Sequence, residues 1–137
     1  VTTCSPSAAL DRLRQAAADG VLDGICERHG VRLLGAFGSA VAWDRHERAS
    51  DLDVAVSLRS EPDVVGLLDE LVQLTGCDLI DLVVIDGAPP LLRAEALTGV
   101  PLFEAERGAF ATAQMAALAE RRDTAWLRQL DLDALAA

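Results

Sequence analysis

At 137 residues the chain has the length of one domain, residues 1–137, and enough of it to bury a real core, since about half its residues are apolar. No apolar run approaches the length of a membrane-spanning helix, and no basic run followed by an apolar stretch opens the sequence, so a cytoplasmic protein is expected. The formal net charge of −10, with every basic residue an arginine, works against generic nucleic-acid binding and favours cations or a basic protein partner.

Ser5-Pro6 reads as the N-cap and first residue of a helix whose Leu10, Leu13 and Ala17 share a face and which Gly20 stops. A short helix from Val21 to His29 turns Leu22, Ile25 and Cys26 inward, and Gly30 ends it. His29, near that end, reads as structural. Val31 to Phe37 is a buried strand, followed by a Gly38-Ser39 turn and a charged loop to Ser50. In this loop Arg45, His46 and Arg48 either reach a ligand or are simply solvated. Trp43 either stacks on a base or packs under the loop.

Leu52 to Leu58 alternates at period two. Leu52, Val54, Val56 and Leu58 form an apolar face, whereas Asp51, Asp53, Ala55 and Ser57 form a small polar one. Ser60-Glu61-Pro62-Asp63 starts a helix with Val64, Leu67, Leu68, Leu71 and Leu74 at helical spacing, closed by Gly76. Leu79 to Ile85 is a strand apolar on both faces apart from Asp81, which predicts cover on both sides. Pro89-Pro90 begins a helix ending near Leu97, and Val100 to Glu104 is an edge strand because Pro101 has no N–H to donate. One long helix is expected from Glu106 to about Leu130, with Phe110, Ala113, Ala117, Leu118 and Trp126 on its buried side and a fraying tail after it. Cys4, Cys26 and Cys77 lack paired metal-ligand spacing and read as reduced thiols.

Asp51 and Asp53 repel each other unless a cation lies between them, and hard oxygen ligands of this kind suit Mg²⁺. Gly38-Ser39, an eleven-residue loop and Asp51-Leu52-Asp53 at the mouth of an apolar strand together resemble the signature of the DNA polymerase beta superfamily of nucleotidyltransferases. Within it the chain is most similar to the minimal nucleotidyltransferase group, often the antitoxin of a toxin–antitoxin pair whose toxin is a HEPN protein. The resemblance covers about residues 20–104. It implies an α/β fold, a nucleotidyltransferase-like small mixed β-sheet with flanking helices.

The resemblance also implies the chemistry. Asp51, Asp53 and Asp81 would be the catalytic, metal-binding carboxylates, with two Mg²⁺ ions between them. Asp78 is a less well placed alternative to Asp81. Gly38 and Ser39 would hold the phosphates of ATP. The reaction would be AMP transfer to a hydroxyl of a HEPN toxin, within a hetero-oligomer without nucleic acid or membrane. The alternatives are an antitoxin that neutralises by binding alone, and a transferase acting on a small hydroxyl compound. The family continues after Gly-Ser with a small residue, an arginine and a glycine. Here Ala40-Val41-Ala42-Trp43 lacks both, and the loop is one residue longer, a change expected to weaken nucleotide binding or turnover while sparing the carboxylates.

Overall fold

A computed structural model describes residues 4–59 and 63–136. The chain runs α1 (Pro6–Asp19), α2 (Val21–Arg28), β1 (Val31–Phe37), β2 (Leu52–Leu58), α3 (Val64–Thr75), β3 (Ile80–Val84), α4 (Pro90–Ala96), β4 (Val100–Glu104), α5 (Ala109–Asp123) and α6 (Ala125–Ala136). Its four strands form one mixed sheet in the order β3-β2-β1-β4. β1 is antiparallel to β2 and β4, and the α3 crossover brings β3 in parallel to β2. This is the expected α/β arrangement, and β4 is the edge that Pro101 requires.

Local chemistry sets the boundaries. The Ser5 hydroxyl caps α1 by accepting from the Ala8 N–H at 3.4 Å, and the Asp63 carboxylate caps α3 by accepting from the Gly66 N–H at 3.0 Å. Of the predicted helix start at Ser60-Glu61-Pro62-Asp63, residues 60–62 lie outside the described residues. At the end of α2, Arg28 and His29 both meet the Glu70 carboxylate, which holds it below the usual carboxylate range and ties α2 to α3. His29 is therefore structural, as read from the sequence.

The sheet carries a core on each face. Leu34, Ala36, Leu52, Val54 and Val56 pack against Leu13, Leu22, Leu67 and Leu71 of α1, α2 and α3. Each such fully buried Leu contributes on the order of 1.5–3 kcal/mol from apolar surface removed from water. On the other face Leu33, Phe37, Ala55 and Ile85 pack under Ala94, Leu97, Phe110 and Ala117. Phe110 lies directly over β1 because residue 35 is glycine: a Cβ there would come within 2.8 Å of the ring. Arg93 fastens this layer, donating to the Ile85 carbonyl at 3.2 Å and the Ala88 carbonyl at 2.9 Å and pairing with Glu120 at 2.7 Å.

Four expectations are corrected. β3 is an edge strand, and Asp81 on it is exposed rather than enclosed by apolar neighbours. The long helix is two helices, α5 ending at Asp123 and α6 starting at Ala125, and between them the Thr124 hydroxyl donates to the Glu120 carbonyl at 2.9 Å. The tail does not fray but forms α6 to Ala136, and Leu118 and Trp126 are exposed while Phe110 and Ala117 are buried. Finally, Cys4 and Cys77 form a disulfide, at a sequence separation of 73 and with 5.1 Å between their Cα atoms. Only Cys26 is a free thiol. Burial, then the charges of Asp23 and Glu27, push it up to about 12, so it is inert.

Candidate active site

Gly38, Asp53 and Asp81 meet because three chain segments end together. In the strand register Asp53 of β2 faces Phe37 of β1 on one side and Asp81 of β3 on the other. Neighbouring strands lie about 4.8 Å apart, so the Asp53 and Asp81 side chains are cross-strand neighbours on one face. Gly38 follows Phe37 directly. The second core covers this face only at its far end: Ala55 is buried, whereas Asp53 is half-buried and Asp81 exposed. The polar end of the β2 stripe thus opens beside the Gly38 turn.

Ser57 lies on the covered part of the stripe. It is buried, and its hydroxyl donates to the Asp86 carboxylate at 2.8 Å, which also accepts the Leu58 N–H at 2.9 Å. Alternation alone gave no sign that helices would cover one half of this face and leave the other open.

Burial pushes the Asp53 carboxyl above its ordinary value, and the charges of Asp81, Asp51 and Glu95 push in the same direction. None of the ion pairs among the described residues involves Asp51, Asp53 or Asp81. The site is therefore a concentration of negative charge without an internal counter-ion. Asp51 sits one residue ahead of β2, exposed at a bend. Among the described residues no three His, Cys, Asp or Glu side chains close into a metal cage. The register pairs Asp53 with Asp81, and Asp51 adds its charge from the loop. Such a donor set fits Mg²⁺, which holds to one or two carboxylates, keeps waters and takes the rest of its ligands from phosphates.

Gly38 has a protein-internal reason to be glycine. Its φ is +76°, and a Cβ there would run into the Asp53 carboxylate. Residues Gly38–Val41 form a 3₁₀ turn in which the Ala42 N–H donates to the Ser39 carbonyl at 3.2 Å and Ala40 is buried in the first core. The turn is thus anchored by the Ala40 methyl, at the position where the sequence resemblance expects a small residue, and Val41 and Ala42 follow where it expects an arginine and a glycine. Farther along the loop, Arg45 pairs with its neighbour Asp44 at 3.5 Å, and the His46 Nδ1 lies 3.2 Å from the Trp43 carbonyl. Trp43 is 92% exposed, so it does not pack under the loop.

No known protein-family model matches this chain, and no curated protein matches it in sequence. Solved structures do match in fold. A chain of an MntA–HepT toxin–antitoxin complex, in a mutant with two aspartates two positions apart changed to glutamate, superposes with a TM-score of 0.67 at 20% identity over 87% of this chain and 98% of that one. A toxin–antitoxin structure with AMP-PNP gives 0.66 at 21% identity over 87% and 98%. A complex of tri-AMPylated Shewanella oneidensis HEPN toxin with MNT antitoxin gives 0.64 at 18% identity over 90% and 99%.

The chain shares the fold of these structures, an α/β mixed sheet flanked by helices. Its open sheet end carries Gly38 at the turn after β1, with Asp53 and Asp81 on the adjacent parallel strands β2 and β3. Glu95 is the acidic residue that sequence reasoning missed. It reaches the field at Asp53 from α4, and nothing in its local sequence marks it, because only the docking of α4 brings it near.

Proposed function

We propose that this chain is a minimal nucleotidyltransferase that transfers AMP from ATP to a hydroxyl of a HEPN toxin and so acts as its antitoxin. The observation that carries the reading is the uncompensated pairing of Asp53 with Asp81 beside the Gly38-Ser39 turn. The related folds support it, since one is a complex with AMP-PNP and another holds an AMPylated HEPN toxin.

In this reading Asp51, Asp53 and Asp81 hold divalent metal, and the turn at Gly38 and Ser39 holds the β- and γ-phosphates. Bound Mg²⁺ supplies neutralisation of the leaving pyrophosphate and activation of the attacking hydroxyl. In the same reading Asp81, exposed on its edge strand, would take the proton of the acceptor hydroxyl. The altered run after Ser39 is the one feature that favours the alternative, neutralisation by binding alone.

Two outcomes check the site. Mg²⁺ or Mn²⁺ is expected to raise the melting temperature of the chain, since a ligand bound only by the folded state stabilises it by mass action. Asp51→Asn with Asp53→Asn is expected to remove that rise. An equal shift in the double variant would move the metal elsewhere. ATP is expected to bind only with divalent metal, and Ser39→Ala to weaken it by about 1–2 kcal/mol, the scale of one hydrogen bond to a charged group. Calorimetric titration that finds metal-independent binding, unchanged by Ser39→Ala, would rule out this turn as the phosphate site.

A further inference from the structure

α6 is built unlike every other helix in the chain. Eight of the twelve residues in AWLRQLDLDALA are apolar, yet none of them is buried. A helix apolar around most of its circumference is ordinarily enclosed, and twelve residues alone are marginal as a helix in water. Trp126, Leu127 and Leu130 are 61%, 47% and 55% exposed.

At 100° per residue, Trp126, Leu127, Leu130 and Ala134 fall within about 100° of the circumference. Asp133 borders this stripe on one side and Asp131 on the other. Arg128, the only basic residue of α6, is turned away. It donates to the Thr124 hydroxyl at 2.9 Å and to the Arg121 carbonyl at 2.8 Å, which marks the side facing α5. The stripe lies roughly opposite. It therefore presents apolar side chains edged only by negative charge, as part of an exposed apolar surface on the order of several hundred Å², the size that marks an interaction site.

We propose that this stripe seats in an apolar groove, rimmed by basic residues, on the partner protein. Charge selects that occupant over a second copy of the chain. Two copies would bring a net −10 each together and set Asp131 and Asp133 against the same residues. A basic rim meets both aspartates, and a groove accommodates a helix in the way amphipathic helices are commonly recognised. The inference rests on the reading of the chain as one half of a toxin–antitoxin pair, and it assigns the segment that holds the partner.

The test is titration of the full chain with the HEPN toxin proposed as its partner, at low and high salt, beside sedimentation of the chain alone and metal-dependent ATP binding. Leu130→Asp is expected to weaken the complex at least about thirtyfold, the scale of a hot-spot residue, while ATP binding is unchanged. Asp131→Arg with Asp133→Arg is expected to weaken it about tenfold and flatten its salt dependence. Undiminished binding by Leu130→Asp would overturn the assignment of the stripe, and tighter binding by the charge reversal would overturn the basic rim. A dimer of the chain alone that Leu130→Asp dissociates would make a second copy the occupant. If wild-type protein and partner do not bind at all while ATP still binds, the toxin–antitoxin reading itself fails, and the proposed groove with it.

Discussion

Asp53→Asn is expected to lower AMP transfer about a thousandfold or more while leaving the protein folded, since removal of one preorganised charge-stabilising group costs on the order of 10²–10³ in rate and this residue would serve more than one step. Asp53 is the aspartate whose neighbours on both sides of β2 are fixed by register, Phe37 leading into the Gly38 turn and Asp81 across the parallel pair. The substitution opens no cavity. It also removes a repulsion, and the sign follows from the raised carboxyl pKa. A carboxyl held above its unfolded value favours the folded state below the unfolded pKa, and that stabilisation is lost as pH rises through the folded pKa. At neutral pH the ionised Asp53 therefore opposes folding, and Asn is expected to leave metal-free protein as stable as wild type or more so. The same linkage predicts that stabilisation by Mg²⁺ shrinks as pH falls through the raised pKa, where protons compete for the site. Thermal melts of both proteins across pH 4–8, with and without Mg²⁺, check these statements. A destabilised Asp53→Asn variant would mean that the carboxylate has a structural partner in the fold.

Opening the Cys4–Cys77 disulfide is expected to cost up to about 4 kcal/mol, the scale of loop-closure entropy for a bridge spanning this many residues. The bridge joins the residue before the α1 N-cap to the turn from which β3 departs. That turn also supplies the Leu79 carbonyl that accepts the Leu52 N–H at 2.8 Å, the first rung of the β2–β3 pairing that carries Asp53 and Asp81. Cys4→Ser, which leaves the buried Cys77 in place, is expected to lower denaturant stability by about the same amount as reduction of wild type, and reduction is expected to have no further effect on it. A wild-type protein whose stability is indifferent to reductant would show that the bridge contributes nothing.

The strands and most helices were legible because each is bounded by its own chemistry. Ser5-Pro6 and Gly20 delimit α1, and the alternation of Leu52 to Leu58 sets β2 and its core face. Asp81 shows where that reading stopped. An apolar run with one carboxylate looks the same whether the strand is central or at an edge, and only the sheet order makes it exposed. The disulfide was invisible for a similar reason, since 73 residues of separation carry no spacing signal. The break at Thr124 was not legible because no glycine or proline marks it in the sequence. Of the site, the aspartates and Gly38 were visible as a motif. The contact that makes glycine necessary at position 38, and the charge of Glu95, arise only from tertiary packing.

The most direct test of the proposed activity is to incubate a small molar fraction of this protein with an excess of the HEPN toxin proposed as its partner, ATP and Mg²⁺, and to weigh that toxin by mass spectrometry while assaying its toxicity. The transferase reading predicts that most of the partner gains the mass of one or more AMP groups and is inactivated, and that Asp53→Asn protein produces neither change. Neutralisation that needs equimolar protein, persists in Asp53→Asn and leaves the partner's mass unaltered would contradict it.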